Sequence, residues 1–377
     1  MAPKLYGQSN EFYVPSLDGL RACAFLLVFV AHSGLDKIVP GGFGVTVFFF
    51  LSGYLITSLL RLEYEKTGTI SLRNFYLRRS IRILPPMYIT LAVGFAAGYL
   101  RLLPTAGNAV GFVSAIFYFS NYASLLHPGV ANLPAGLGLV WSLMVEEHFY
   151  LLFPLLYLSF GRLGISRRAQ VGMLVGLCAA ALLWRCYLVF VVRIPLTTFS
   201  WTYAASDCRF DSILWGCVLA IATNPAIETQ SELDGNNWLR KFSGPLACGG
   251  LVFIVLTLLW REPHWRETFR YTGQSLALYP IFYYCIASQQ NLSVRWLSSK
   301  PMRWVGWTSY SMYLVHMMVL TAFTALGFHH SVERGFLALG ISMLYATAMR
   351  WLVESPLRRL RQAKARPLRE RLVSIPA

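Results

Sequence analysis

Apolar runs recur along the chain at 17–35, 43–60, 85–103, 109–126, 139–160, 169–193, 211–224, 243–260, 270–288, 305–326 and 335–353. Short polar or Pro/Gly-marked breaks separate them, among them Pro40-Gly41-Gly42, Pro85-Pro86, Pro104, the stretch 128–134 and Pro195. Most runs approach the roughly 20 helical residues needed to cross a hydrocarbon layer about 30 Å thick. The pattern predicts an all-α, polytopic transmembrane bundle. Pro85-Pro86 reads as the start of the third span, since proline is best tolerated in the first turn of a helix. No internal repeat is visible, and no hydrophilic stretch is long enough for a second domain. The expected organisation is a cytoplasmic N-terminal segment over 1–16, an enzyme-sized transmembrane domain over 17–353 and a basic tail over 354–377. The first run carries Asp18, Arg21 and His32, which the core of a cleavable signal peptide would not.

Composition agrees: 56% of residues are hydrophobic and only 13% charged, against about 25% in soluble domains. The net charge of +16 is concentrated at span ends and in the tail, at Arg358, Arg359, Arg361, Lys364, Arg366, Arg369 and Arg371. Nucleic-acid binding is set aside, because no basic soluble domain exists to carry it. The seven cysteines lie mostly in apolar runs without metal-ligand spacing, so they read as free small hydrophobes, with neither disulfides nor a metal site expected.

Charge then fixes topology through the excess of Lys and Arg on cytoplasmic loops. The 61–82 connection (Arg61, Lys66, Arg73, Arg78, Arg79, Arg82), the 161–168 turn (Arg162, Arg167, Arg168), the 295–303 segment and the tail should share the cytoplasmic side. Eleven crossings would put 61–82 and 161–168 on opposite sides. Removing one between them restores the parity, and 109–126, interrupted by Asn121 and followed by a Pro/Gly-rich loop, is the one to remove. About ten spans are expected, with 109–126 re-entrant or on the outer surface, and both termini cytoplasmic.

Ionisable groups inside a bilayer are costly and mark function. Arg21 and His32 are eleven residues apart, which brings them to nearly one helix face about 16 Å apart. Snorkelling of Arg21 and an interhelical hydrogen bond from His32 are the plainer readings. Trp141-Ser-Leu-Met-Val-Glu-Glu-His-Phe-Tyr150 opens another span with Glu146 and Glu147. Either carboxylate can sit at the interface beside Trp141, or pair with a histidine or arginine of another helix; His148 is a further partner. Arg78, Arg79 and Arg82 cluster on one helix, where guanidinium forks suit phosphate oxygens but also serve as simple anchors. Gly41, Gly42, Gly44, Ser52 and Gly53 leave room for a slender ligand or for close helix packing.

Taken together these segments resemble the membrane-bound acyltransferase family 3, bacterial O-acyltransferases of surface glycans and secondary metabolites. The resemblance rests on Arg21 and His32; Gly-Val-Thr-Val-Phe-Phe-Phe-Leu-Ser-Gly-Tyr (44–54); Arg-Arg-x-x-Arg-Ile-x-Pro (78–85); the 141–150 segment; Arg-Phe-Asp (209–211); Ser-Tyr-Ser-Met-Tyr-Leu-Val-His (309–316); and Val-Glu-Ser-Pro-Leu-Arg-Arg (353–359). It implies ten transmembrane helices and transfer of an acyl group, usually acetyl, from acyl-CoA to a carbohydrate hydroxyl, in the bacterial inner membrane. No cofactor is held permanently; the acyl-CoA donor and a free, lipid-linked or glycosylated acceptor are the partners. His148 stands where glutamine is expected, and the chain resembles members without an esterase-like domain. The expected roles are His32 as general base, Arg21, Glu146 and Glu147 beside it, and Arg78, Arg79, Arg82, Ser52 and Gly53 toward the donor. Trp141, Tyr150, Arg209, Asp211, His316 and Glu354 are supporting residues. A proton-coupled transporter is the competing class, weakened by the lack of an inverted repeat.

Overall fold

The structure, a computed structural model, describes residues 12–197, 199–228, 237–328 and 330–359. Residues 1–11 and the tail arginines beyond 359 lie outside the described residues. The described chain is helical, as the apolar pattern predicts. It is a multi-pass membrane protein. Seven helical stretches are long and apolar enough to cross a membrane: Pro15–Leu35, Gly41–Thr67, Leu72–Tyr99, Gly138–Arg162, Arg167–Val192, Trp238–Leu259 and Val332–Arg359. Three further helices, Ser206–Ala222, Phe269–Ala287 and Lys300–Ala325, are shorter or richer in polar groups.

The helices are α1 (Pro15–Val30, extended by a π turn at Ala31–Leu35), α2 (Gly41–Thr67), α3 (Leu72–Tyr99), α4 (Ala109–Ile116), α5 (Ser120–Leu126), α6 (Trp141–Arg162), α7 (Arg167–Cys186, with a π turn Tyr187–Val192) and α8 (Trp201–Ala204). They continue with α9 (Ser206–Ala222), α10 (Asn237–Leu259), α11 (Pro263–Glu267), α12 (Phe269–Ala287), α13 (Leu292–Arg295), α14 (Lys300–Ala325) and α15 (Ser331–Met349, with a π turn Arg350–Glu354). The chain divides into two compact units. One comprises residues 1–70, 109–132 and 140–307; the other comprises 71–108, 133–139 and 308–377.

In the first unit, contacts fix helix directions. Gly41 packs on Ala31 and Gly44 on Ala24 and Val28, so α1 and α2 are antiparallel. Phe49 meets Trp141, Ser52 bonds Glu146, and Gly161 lies on Tyr64, so α6 runs parallel to α2. Thr46 meets Arg209, Gly53 packs on Ile213, and Tyr54 bonds Asn224, so α9 is parallel to both. The 109–126 segment, expected not to cross, holds no helix of spanning length. It is indeed two short helices, α4 and α5 of 8 and 7 residues, broken where Tyr118 takes φ +58°.

These directions gather basic groups at one end of the unit. There Arg167 bonds Glu65 at 2.9 Å, and Arg61 reaches Glu65 and the Ala220 carbonyl. The start of α1 packs on Leu297 and Gly306 at the same end. The opposite end carries the π turn of α1 and the 260–263 loop, whose Arg261 bonds the Lys37 carbonyl at 2.7 Å.

In the second unit the sequence expectation for Pro85 and Pro86 is corrected. Ser71 caps α3 by accepting from the Asn74 backbone N–H, and the helix starts at Leu72 with both prolines inside it. An interior proline removes its own hydrogen bond to the residue four positions back and crowds that carbonyl, so the helix needs support from outside. The helix around it is held from neighbours: Tyr310 donates to the Ile83 carbonyl, and Thr90 and Tyr345 share a hydrogen bond of 2.7 Å. Arg78, Arg79 and Arg82 therefore lie on the same helix as the span that follows them, not on a preceding loop.

Candidate functional site

Arg21 sits near the basic end of α1, bonded to Asp18 at 3.4 Å. Asp18 is buried and also accepts from Tyr13 and from the Trp307 indole at 2.8 and 2.7 Å. Arg303 completes the cluster, donating to Tyr13 and lying over the Tyr13 and Trp307 rings. Burial and the neighbouring Asp18 carboxylate push the Tyr13 phenol up to about 12, so it stays a donor at neutral pH. Asp18 is a group the sequence reading passed over. Its signal was present, a carboxylate three residues from an arginine inside an apolar run.

His32 is half-buried at the far end of the same helix, within the π turn whose Gly34 takes φ +108°. Such π turns are frequent at functional sites, because widening the coil re-aims side chains that an α-helix would stack in line. The turn opens directly into the loop leading to α2.

On α2 and α6, Glu146 accepts from Ser52 at 3.0 Å and from Tyr150 at 2.9 Å, and the two hydroxyls are themselves 2.9 Å apart. Ser52, Glu146 and Tyr150 thus form a closed triangle between α2 and α6. Spacing explains it: Glu146 and Tyr150 are four residues apart and share a helix face. Glu147 is half-buried on an adjacent face. His148 does not turn to either glutamate; its Nδ1 is 2.7 Å from Ser206 Oγ. That serine also receives Asn121 from α5, and the neighbouring Tyr122 bonds Asp207 at 2.6 Å, so α5 is tied down on the start of α9.

Arg209 and Asp211 are two residues apart on α9 and point to opposite sides. Arg209 is fully buried in an aromatic box, its guanidinium 4.0 Å from the centre of Tyr271, with Phe49, Tyr203 and Trp141 at 5.4–5.9 Å. It donates to Thr46 and to the Tyr203 carbonyl, its Nε–H has no partner, and no carboxylate reaches it within ion-pair distance among the described residues. Asp211 instead holds Arg185 of α7 at 2.7 Å, both side chains inaccessible to solvent. Arg185 also donates to the carbonyls of Cys208 and Thr268 and to the Thr272 hydroxyl, so every part of its fork is engaged. Arg185 escaped the sequence reading although it lies inside the 169–193 run, where the rule that singled out Arg21 applies equally.

The room expected along α2 is mostly filled. A Cβ on Gly53 would collide with the Ile213 carbonyl, and one on Gly44 with the Ala24 carbonyl. These glycines serve helix packing, the plainer of the two readings, while Ser52 beside them carries the polar contact.

In the second unit, Arg78 and Arg82 are exposed on α3, and Arg79 lies over the Phe75 ring at 5.9 Å. Glu354 accepts from Ser311 at 2.9 Å, joining the π turn after α15 to α14. His316 is buried, its Nδ1 2.7 Å from the Tyr313 carbonyl, and Tyr313 donates to Leu139. His316 and Glu354 are thus internal ties of that unit.

The family profile described as an acyltransferase domain, that of acyltransferase family 3, matches residues 14–352. The chain belongs to this family. The peptidoglycan O-acetyltransferase OatA of Listeria monocytogenes is 29% identical over 362 residues, covering 92% of this chain and 56% of that protein. YrhL of Bacillus subtilis, provisionally named a peptidoglycan O-acetyltransferase, is 32% identical over 327 residues, covering 83% and 49%. A Staphylococcus aureus protein with the provisional name O-acetyltransferase is 30% identical over 371 residues, covering 92% and 58%. The chain spans about half the length of these curated relatives. No solved structure matches it. Every segment singled out above, from Arg21 to the Arg350–Glu354 π turn but for its last two residues, falls inside the acyltransferase match.

Proposed function

We propose that the chain is an O-acetyltransferase that takes an acetyl group from acetyl-CoA on the cytoplasmic side and delivers it to a carbohydrate hydroxyl on the outer side. The observation that carries this reading is the layout of α1. Arg21 lies near the basic end of the first unit and His32 eleven residues further along the helix, about 16 Å away and at the opposite end. From the excess of arginines we take the basic end to be cytoplasmic, in the bacterial inner membrane, with both termini inside. A pantetheine arm has about the length of that rise. The phosphates of the donor would rest on Arg78, Arg79 and Arg82, which follow the basic end of α2 in the chain, and Ser52 would offer a polar contact along the way. The names of the relatives favour a glycan acceptor such as peptidoglycan.

In this reading the His32 imidazole takes the proton from the acceptor hydroxyl as that oxygen attacks the thioester carbonyl. The tetrahedral intermediate collapses, the carbon–sulfur bond breaks, and the departing thiolate receives the proton back from the imidazolium. An O-acetyl ester and free coenzyme A result. Glu146, held by Ser52 and Tyr150 deeper along α2, and its neighbour Glu147 would act on the buried part of the site and not directly on the imidazolium. Arg209, a buried cation without a carboxylate, favours the developing oxyanion. Direct transfer needs no acyl-enzyme, and a half-buried neutral histidine is a suitable base near pH 7.

The test uses sealed vesicles of known orientation. Ester should form with acetyl-CoA at the basic face and acceptor at the other. Ester formed only when both are on the basic face would refute transfer across the bilayer.

A further inference from the structure

At the end of the first unit that bears the His32 turn, a cleft of about 400 Å³ is lined by Phe190, Glu262, His264, Trp265 and Phe269. That volume falls within the usual range for small-ligand sites. Its walls are flat rings in two stacks. Trp265 and Phe269 lie nearly parallel at 5.8 Å, with Trp260, outside the lining, stacked on Trp265 at 5.0 Å, and Phe190 lies on His264 at 5.7 Å and 12°. The lining also holds a carboxylate. Glu262 accepts from the backbone N–H groups of Trp265 and His264 at 2.6 and 3.0 Å and contacts the His264 ring nitrogen at 2.6 Å. The Trp265 and His264 N–H groups hold this carboxyl below the usual carboxylate range, so it is ionised. Glu262 and His264 keep 43% and 53% of their side chains exposed, leaving hydrogen-bonding edges available beside the rings. The indole N–H of Trp265 is shielded from solvent and has no partner.

Tryptophans at a membrane boundary ordinarily anchor in the lipid interface. Here the rings border a fixed, ionised carboxylate, which an acyl chain would desolvate at a cost and which repels phosphate headgroups. A sugar ring meets both demands. Its C–H face lies on an aromatic ring, while its neutral hydroxyls donate to a carboxylate and accept from an imidazole N–H. Arg261, next to Glu262, is bonded to the Lys37 carbonyl, so the cleft is connected to the loop that begins at the His32 turn. We infer that this cleft is a subsite for a neutral sugar ring of the acceptor. The inference rests on the outward delivery proposed above.

The experiment titrates the full chain in nanodiscs with chitotriose and maltotriose, following tryptophan fluorescence and calorimetric heat. Donor binding is measured separately with acetyl-CoA. Saturable binding of a trisaccharide should weaken at least tenfold in Trp265→Ala and Phe190→Ala. It should weaken several-fold in Glu262→Gln, which removes the charge and keeps an acceptor for one of the two backbone N–H groups. Acetyl-CoA binding should stay unchanged in all three, which also shows that the variants fold. Trp351→Ala, an exposed tryptophan of the other unit, should bind sugar as the parent does. Absence of trisaccharide binding in the parent, or equal binding in parent and variants, overturns the inference. So does a loss confined to the variants' partition into lipid vesicles, which would make the rings a lipid anchor. Loss of acetyl-CoA binding in the parent strikes the proposed function instead and leaves the subsite reading separately measurable.

Discussion

Asp211 is an ionisable group inside an apolar helix, which invites a catalytic role; its surroundings argue for a structural one. It faces Arg185 with both side chains fully buried, and it also accepts from the Thr272 hydroxyl and the Ser212 backbone N–H at 2.6 and 2.8 Å. Asp211→Asn keeps one acceptor oxygen and removes the charge, stranding a guanidinium among α7, α9 and α12. Breaking one side of a buried pair costs about 3–5 kcal/mol. Asn should fall near the lower bound, because its one carbonyl oxygen still receives the Thr272 hydroxyl, and Asp211→Ala near the upper. Replacing the whole pair is different, since desolvation of both ions is then relieved. Arg185→Met with Asp211→Leu should recover at least half of the loss. The assay is a double-mutant cycle on unfolding in detergent, with acetyl transfer measured on the folded fraction. Per folded molecule, transfer should stay within a fewfold of the parent. An Asp211→Asn protein of parental stability that has lost transfer by a hundredfold or more would refute the structural assignment.

Three other outcomes are expected. His32→Ala should lose about 10²–10⁴ in transfer rate, as a missing general base does, with membrane insertion and acetyl-CoA binding intact; near-parental turnover would remove it from the chemistry. Arg79→Ala and Arg82→Ala should each weaken acetyl-CoA binding by about 10- to 100-fold, the scale of a charge-assisted contact worth about 1.5–3 kcal/mol, and calorimetry at two salt concentrations reads it. Gly53→Ala should destabilise by about 1–3 kcal/mol or more through overpacking against Ile213 and lower the yield of folded protein, whereas Ser52→Ala should fold; equal yields and stabilities would contradict the close contact of α2 and α9.

The long helices were legible because their pattern is one-dimensional: a run of apolar residues has only one way to satisfy its backbone in lipid. Parity of basic loops also identified 109–126 as non-crossing, and the parallel course of α2 and α6 depends on it. Pairing was not legible. Nothing in the spacing of Glu146, Glu147 and His148 says that the first meets Ser52 while the third meets Ser206, since those partners lie 94 and 58 residues away. The prolines misled for a related reason. A local rule places Pro85-Pro86 at a helix start, but bonds from Tyr310 and Tyr345, distant in the chain, hold the helix on either side of them. Small residues were ambiguous on principle, because a glycine that admits a ligand and one that admits a backbone look alike until the neighbour is known.

The contact of α2 with α9 is reciprocal. Gly53 rests on the carbonyl of Ile213, and Gly216 rests on the carbonyl of Phe50. Each helix has a notch where the other has a ridge, in the manner of a dovetail joint. Displacing either helix along its axis by one residue would drive a Cβ into a carbonyl, so the pair is locked against axial sliding. Cargo that must pass between the ends of this unit therefore has to thread a fixed frame; it cannot be carried by one helix shifting past the other.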